Sequence, residues 1–199
     1  NVAGLVGHSA LRTYVMGADA NQRTATAAEV AQMAALVREA MDAGAVGLAS
    51  STSPAHNGAG GAPMPSRLAD EREMLALTGA LGEAGRGVFM LTKGMTSTIP
   101  WLEKIAAASG RPVMIAAMFV DPGDPERVFR ELREIGEARA RGRELWAQVG
   151  CFPLGMEFTL RHPYPLEALL AWRPALEAET EDRFRRILAD SEFRHAIKA

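Results

Sequence analysis

Short apolar runs alternate along the chain with stretches in which apolar residues recur every three or four positions. The runs are VAGLVG (2–7), AVGLAS (45–50), GVFMLT (87–92), PVMIAAMFV (112–120) and LWAQVGC (145–151). Each is nearly continuous, the pattern of a strand buried on both faces. Between the first two, TAAEVAQMAALVREAMDAG places Val30, Met33, Val37 and Met41 on one stripe, with Thr26 and Glu29 at capping-box spacing and Gly44 as the stop. That spacing predicts an amphipathic helix. Asp70 with Glu73 opens a second helix through Met74, Leu77 and Leu81, and Pro100 lies in the first turn of a third that ends at Gly110. Asp124-Pro125 opens a fourth, with Val128, Leu132 and Ile135 inward and a solvated charged face outward.

Strand and helix alternating at this interval predict an α/β fold, a parallel sheet with helical crossovers. A doubly wound nucleotide fold needs a glycine-rich turn that leads into a helix. The glycine cluster NGAGGAP (57–63) runs into Pro63 and Pro65 instead, and reads as a long flexible loop. A complete (β/α)8 TIM-type barrel takes about 250 residues and eight units. Five units therefore predict a partial barrel, one domain over 1–199. From residue 152 the pattern breaks into prolines and short apolar groups, followed by the charged helix EAETEDRFRRILADSEFRHAIKA. Residues 152–199 are read as a loop and covering helices after the last strand.

Composition narrows the function classes. The 199 residues are 48% hydrophobic, enough for a sizeable core. The 22 basic and 24 acidic residues, net charge -2, are interspersed, which argues against a nucleic-acid partner. No run approaches the roughly 20 apolar residues of a membrane helix, so no membrane partner is expected. A single cysteine, Cys151, rules out an internal disulfide and fits a cytoplasmic location. The chain opens without Met inside a strand-like run, and a longer protein is expected around it.

In a parallel barrel the chemistry sits at the C-terminal ends of the strands. That rule selects His8-Ser9, residues 50–56, Thr92-Lys93, residues 118–121 and Cys151. Gly7-His8-Ser9 suggests the G-x-S-x-G nucleophile elbow, but Leu11 stands at the final glycine. His8 is either a substrate-binding group or a structural histidine bonded to its surroundings. His56, Arg67 and the hydroxyl run that includes Ser51 lie on the longest loop and are candidate substrate-binding residues. A guanidinium such as Arg67 can hold a carboxylate through two parallel hydrogen bonds. Lys93, after Val88, Phe89, Met90 and Leu91, is the catalytic candidate: its amine could polarise a carbonyl or form a Schiff base, or simply snorkel from the rim. Met90, Met95, Met114 and Met118 read as core filler, Cys151 as a small buried hydrophobe, and His162 and His195 as surface residues. His-x-His, HExxH and paired cysteines are missing from the chain, so no metal site is expected wholly within it.

The wording NVAGLVGHSALR..VMG, followed by AT..EV..MA.LV.EAM.AGAVGLASSTSPAH....G.PMPSRLA...EMLAL, is similar to the middle of the D-aminoacylase branch of the amidohydrolase superfamily, the N-acyl-D-amino-acid deacylases. The similarity covers most of the chain and is clearest over 1–77. The resemblance implies a metallo-dependent hydrolase-like barrel of which this chain supplies about the third to seventh strands. It implies hydrolysis of a linear, non-peptide C–N bond in a small N-acyl amino acid by metal-assisted water attack, with zinc as the cofactor of the full-length protein. It also places the histidines of the first strand, the cysteine ligand of the second and the aspartate base of the eighth outside this chain. Two positions depart from the family pattern. The Thr-His-x-Arg that closes the fifth strand is Thr92-Lys93-Gly94-Met95 here, and the Ser-His of the sixth is replaced within Ile115-Ala116-Ala117-Met118. The alternatives are a degenerate barrel that binds a small carboxylated ligand without catalysis, and a metal-free enzyme built on Lys93.

Overall fold

A computed structural model describes residues 2–150 and 155–198, which fall into two compact units. The first comprises the described residues of 1–53 and 64–150; the second comprises 54–63 and 155–198. The candidate Cys151 lies outside the described residues.

In the first unit five strands form one parallel sheet in sequence order: β1 (Val6–Gly7), β2 (Gly47–Ser51), β3 (Val88–Thr92), β4 (Val113–Ala116) and β5 (Leu145–Gln148). All are shorter than the apolar runs that predict them, because a continuous apolar run does not signal where pairing stops. Of VAGLVG only Val6 and Gly7 are strand, although Gly4 O still accepts from the Val46 N–H at 2.9 Å. The helices are α1 (His8–Met16), α2 (Ala27–Asp42), α3 (Glu71–Glu83), α4 (Ile99–Ser109) and α5 (Arg127–Ala140). Thr26 and Glu29 close the expected capping box on α2, Asp70 caps α3 by accepting from the Glu73 N–H, and Thr98 caps α4. Gly110 ends α4 in the left-handed region. Contrary to expectation, Leu132 on α5 is exposed, while Val128 and Ile135 are buried.

Register sorts the sheet into rows. Val6, Leu48, Phe89, Val113 and Leu145 lie side by side, and the last four are fully buried with the helix residues Met33, Val37, Leu77, Leu81, Leu102 and Ile105. The next row, Gly7, Ala49, Met90, Met114 and Trp146, faces away from the helices and is more open. The packing is close enough to require glycine at Gly82 of α3, where a Cβ would stand 2.4 Å from the Ser109 carbonyl oxygen of α4.

The second unit has its own small core of Trp172, Ala175, Ala178 and Phe184. It contains α6 (Arg173–Leu176), α7 (Glu181–Ala189) and α8 (Ser191–Lys198), so the charged stretch breaks at Asp190 rather than running on as one helix. The glycine cluster packs instead of hanging free: Asn57 bridges to Pro63, the Asn57 N–H donates to the Tyr164 hydroxyl, and Gly61 lies so close to Glu167 that a Cβ would approach its carbonyl oxygen to 2.0 Å. Among the described residues, no helix is long and apolar enough to cross a membrane.

Candidate functional site

Gly7 is the N-cap of α1 and lends it no side chain, so β1 passes directly into helix and His8 becomes the first helical residue. His8 and Arg12 are four positions apart and therefore share one face of α1. Both meet Glu73 from the first turn of α3. His8 Nε2 donates to Glu73 Oε1 at 2.7 Å, and Arg12 donates to Glu73 Oε2 at 2.5 Å. The other ring nitrogen of His8, Nδ1, lies 2.8 Å from Ser50 Oγ in β2. Arg12 completes its donors on the carbonyls of Ala20 at 3.2 Å and Arg23 at 2.7 Å. His8, Arg12 and Glu73 are wholly buried. Burial pushes the Glu73 carboxyl up, but the hydrogen bonds from His8 and Arg12 and their charges outweigh it, and its pKa is lowered. A carboxylate cannot donate, so His8 donates to it from Nε2.

Strand alternation separates the candidates that the strand-end rule groups together. Ser50 shares a row with Leu91 and Ile115 on the helix side of the sheet, and there it meets His8. Ser51 pairs with Thr92 on the opposite side; it is 8% exposed, and its hydroxyl accepts from the Ser53 N–H at 3.2 Å. Lys93 forms an ion pair with Glu131 of α5 at 2.8 Å, both side chains being mostly buried. Ser9, considered above as a nucleophile, accepts the Ser66 N–H at 3.2 Å.

Arg67 stands on a short 3-10 turn, Pro65–Leu68, and lines a recess of about 210 Å³ at the C-terminal ends of β2 and β3. Thr52, Asp70, Met74, Ser97 and Trp101 line it too. A hydroxyl relay shapes its rim: Thr52 Oγ1 accepts the Gly94 N–H at 2.8 Å and lies 2.7 Å from Ser97 Oγ. The acidic wall is locally compensated, since Asp70 accepts the Glu73 N–H and lies 3.5 Å from Arg72, while Glu71 is paired with Lys104. His56 is half-buried in the second unit and is described with it.

Three participants escape sequence reasoning. Glu73 reads as a capping residue, yet its side chain turns away from the Asp70 backbone toward His8 and Arg12. Arg12 carries a signal in hindsight, its four-residue spacing from His8. Ser66 carries none. Among the described residues, no three His, Cys, Asp or Glu side chains gather where they could hold a metal ion.

No protein-family model and no curated protein sequence matches the chain. Solved structures do. An N-acyl-D-glutamate deacylase from Bordetella bronchiseptica, complexed with zinc and a phosphonate mimic of the tetrahedral intermediate, is 26% identical with a TM-score of 0.63, over 77% of this chain and 31% of that one. A D-aminoacylase whose binuclear metal centre has been characterised is 27% identical with a TM-score of 0.59, over 74% and 30%. The D-aminoacylase structure that defined a novel subset of amidohydrolases is 26% identical with a TM-score of 0.60, again over 74% and 30%. The chain thus spans under a third of the length of these proteins. Over that span its five parallel strands match a partial TIM-type barrel, and its resemblance to the D-aminoacylase branch of the amidohydrolase superfamily is one of fold as well as of sequence.

Proposed function

We propose that the chain is part of a hydrolase of linear amide bonds whose substrates are small N-acyl amino acids. The observation that carries this reading is the joint likeness of fold and sequence to D-aminoacylases and an N-acyl-D-glutamate deacylase. The recess around Arg67 supports it. A guanidinium beside the hydroxyls of Thr52 and Ser97, with the nearby carboxylates compensated, suits one substrate carboxylate. Its volume holds part of a ligand rather than all of one. In this reading Arg67 binds the carboxylate and Ser51 faces the substrate from the end of β2. His8 acts from behind the sheet, holding Ser50 and the start of α3 in register. His56 is a second substrate-binding candidate, tested by its own alanine variant.

Of the similar structures, the N-acyl-D-glutamate deacylase is complexed with zinc and one D-aminoacylase has a binuclear metal centre, and a metal in the full-length protein belongs to this proposal. The described residues of this chain do not fit a metal cage: His8 has both ring nitrogens engaged, and Lys93 is a cation paired with Glu131. If the Lys93 amine polarises the amide carbonyl, Lys93→Met lowers kcat/KM by about 100-fold.

The test is hydrolysis by the full-length, metal-supplemented protein of N-acetyl-D- and N-acetyl-L-amino acids, followed by the amine released. Turnover of at least one such acid, lost on its carboxylate-free counterpart, supports the reading. Absence of turnover across the series, with zinc, cobalt and no added metal, overturns it.

A further inference from the structure

Ser66 precedes the candidate Arg67 in the same turn and is 1% exposed. Its backbone N–H donates to Ser9 Oγ at 3.2 Å, and its hydroxyl donates to the Ser51 carbonyl oxygen at 2.9 Å. One residue therefore ties the turn that carries Arg67 to the first turn of α1 and to the last residue of β2. The turn is also closed internally. Pro65 presets one φ, the Arg67 N–H donates to Met64 O at 2.9 Å, and the Ala69 N–H donates to Ser66 O at 3.3 Å. Those bonds close the turn on itself, and the two Ser66 bonds tie it outward to α1 and β2.

The consequence falls on the next side chain. Arginine carries about 2 kcal/mol of rotamer entropy, and its planar fork recognises a carboxylate only when it arrives at the right angle. A guanidinium whose Cα is anchored to two rigid elements begins closer to that angle than one on a loose loop.

We propose that Ser66 is a positioning residue, whose hydrogen bonds to Ser9 and Ser51 set Arg67 over the C-terminal end of β2 for recognition of the carboxylate of an N-acyl amino acid. This rests on the assignment of Arg67 made above. Ser66 touches no substrate; it acts through Arg67, so its loss weakens recognition of the carboxylate and spares the chemical step.

The experiment uses the full-length protein with N-acetyl-D-leucine and its carboxylate-free counterpart, N-acetylisopentylamine, reading hydrolysis of the acid and calorimetric binding of both. Ser66→Ala is expected to raise KM for the acid about tenfold, 1.4 kcal/mol, with kcat within about twofold and the carboxylate-free compound unaffected. Ser66→Thr, which keeps the hydroxyl, is expected to return KM to within about threefold of the parent. Ser9→Ala removes the second tie and gives the same KM-selective change, which covers the case in which Ser66→Ala does not fold. Arg67→Met, the reference variant, raises KM for the acid by about 100-fold. If Arg67→Met has its effect while Ser66→Ala and Ser9→Ala leave KM unchanged, or weaken both compounds equally, the positioning role is overturned and the Arg67 assignment stands. If Arg67→Met changes nothing, or the parent binds neither compound, both fall.

Discussion

Replacing Glu73 by Gln keeps the shape of the side chain and removes its charge. In the parent, Glu73 takes hydrogen bonds from His8 at 2.7 Å and Arg12 at 2.5 Å, with all three side chains out of water. The amide can still accept on its oxygen, but its NH2 group then faces a second donor, and the Arg12 guanidinium loses its carboxylate partner in the cluster while keeping the carbonyls of Ala20 and Arg23. Breaking a buried pair by removing one partner costs about 3–5 kcal/mol. The two retained carbonyl bonds and the amide oxygen place Glu73→Gln near the lower end, about 3 kcal/mol. Denaturant unfolding of the full-length protein should show the midpoint falling with the slope unchanged. The sign with pH follows from the lowered pKa of Glu73. A carboxyl depressed in the folded state contributes stability that is complete above its ordinary value of 4.5 and is lost as pH falls through the folded value. The gap between parent and Glu73→Gln should therefore be widest at neutral pH and shrink progressively below pH 4.5. A gap under about 0.5 kcal/mol at pH 7, or one that widens on acidification, would refute the buried-pair argument.

Gly82→Ala should destabilise by about 1–3 kcal/mol, read from the unfolding midpoint, because its Cβ would meet the Ser109 carbonyl 2.4 Å away and α3 must move off α4. A double-mutant cycle of Lys93→Met with Glu131→Gln should give a coupling of about 1 kcal/mol, since this 2.8 Å pair is largely screened from water; additive losses would mean that the two do not interact in solution. Thr26→Ala should cost about 1 kcal/mol through the lost cap of α2. Glu29, held down to about 2 first by its hydrogen bonds from Arg23 and then by the Thr26 N–H, should remain ionised in an NMR titration until well below pH 4.5, and its contribution to stability should be complete above pH 4.5 and decline progressively as pH falls from there to about 2.

The parallel order of the five strands and the caps of α2, α3 and α4 were legible because each rests on local chemistry: a continuous apolar run, a Thr or Asp before the first turn, a glycine after the last. The helix beginning at His8 was not, because Gly7 offers no capping side chain and the preceding run reads as strand up to the boundary. Strand-end position groups Ser50, Ser51 and Lys93 at one end of the sheet but does not give the side of the sheet each occupies. That depends on register, which exists only between strands. The same limit hid Glu73 and Ser66, whose partners lie 65 and 57 residues away.

That separation has a consequence for how the chain folds. Neighbouring strands pair in sequence order, so most of the sheet can assemble by adding one local unit to the last. The cluster of His8, Arg12, Ser50 and Glu73 cannot form that way, because it needs α1, β2 and α3 all in place. Until Glu73 arrives, dehydrating Arg12 is unfavourable; once it arrives, two polar groups vanish from water together. Helix α1 should therefore lock last and open first. In hydrogen exchange, amides of α1 should protect later during refolding than those of β3 and β4, and Glu73→Gln should raise the unfolding rate far more than it slows folding.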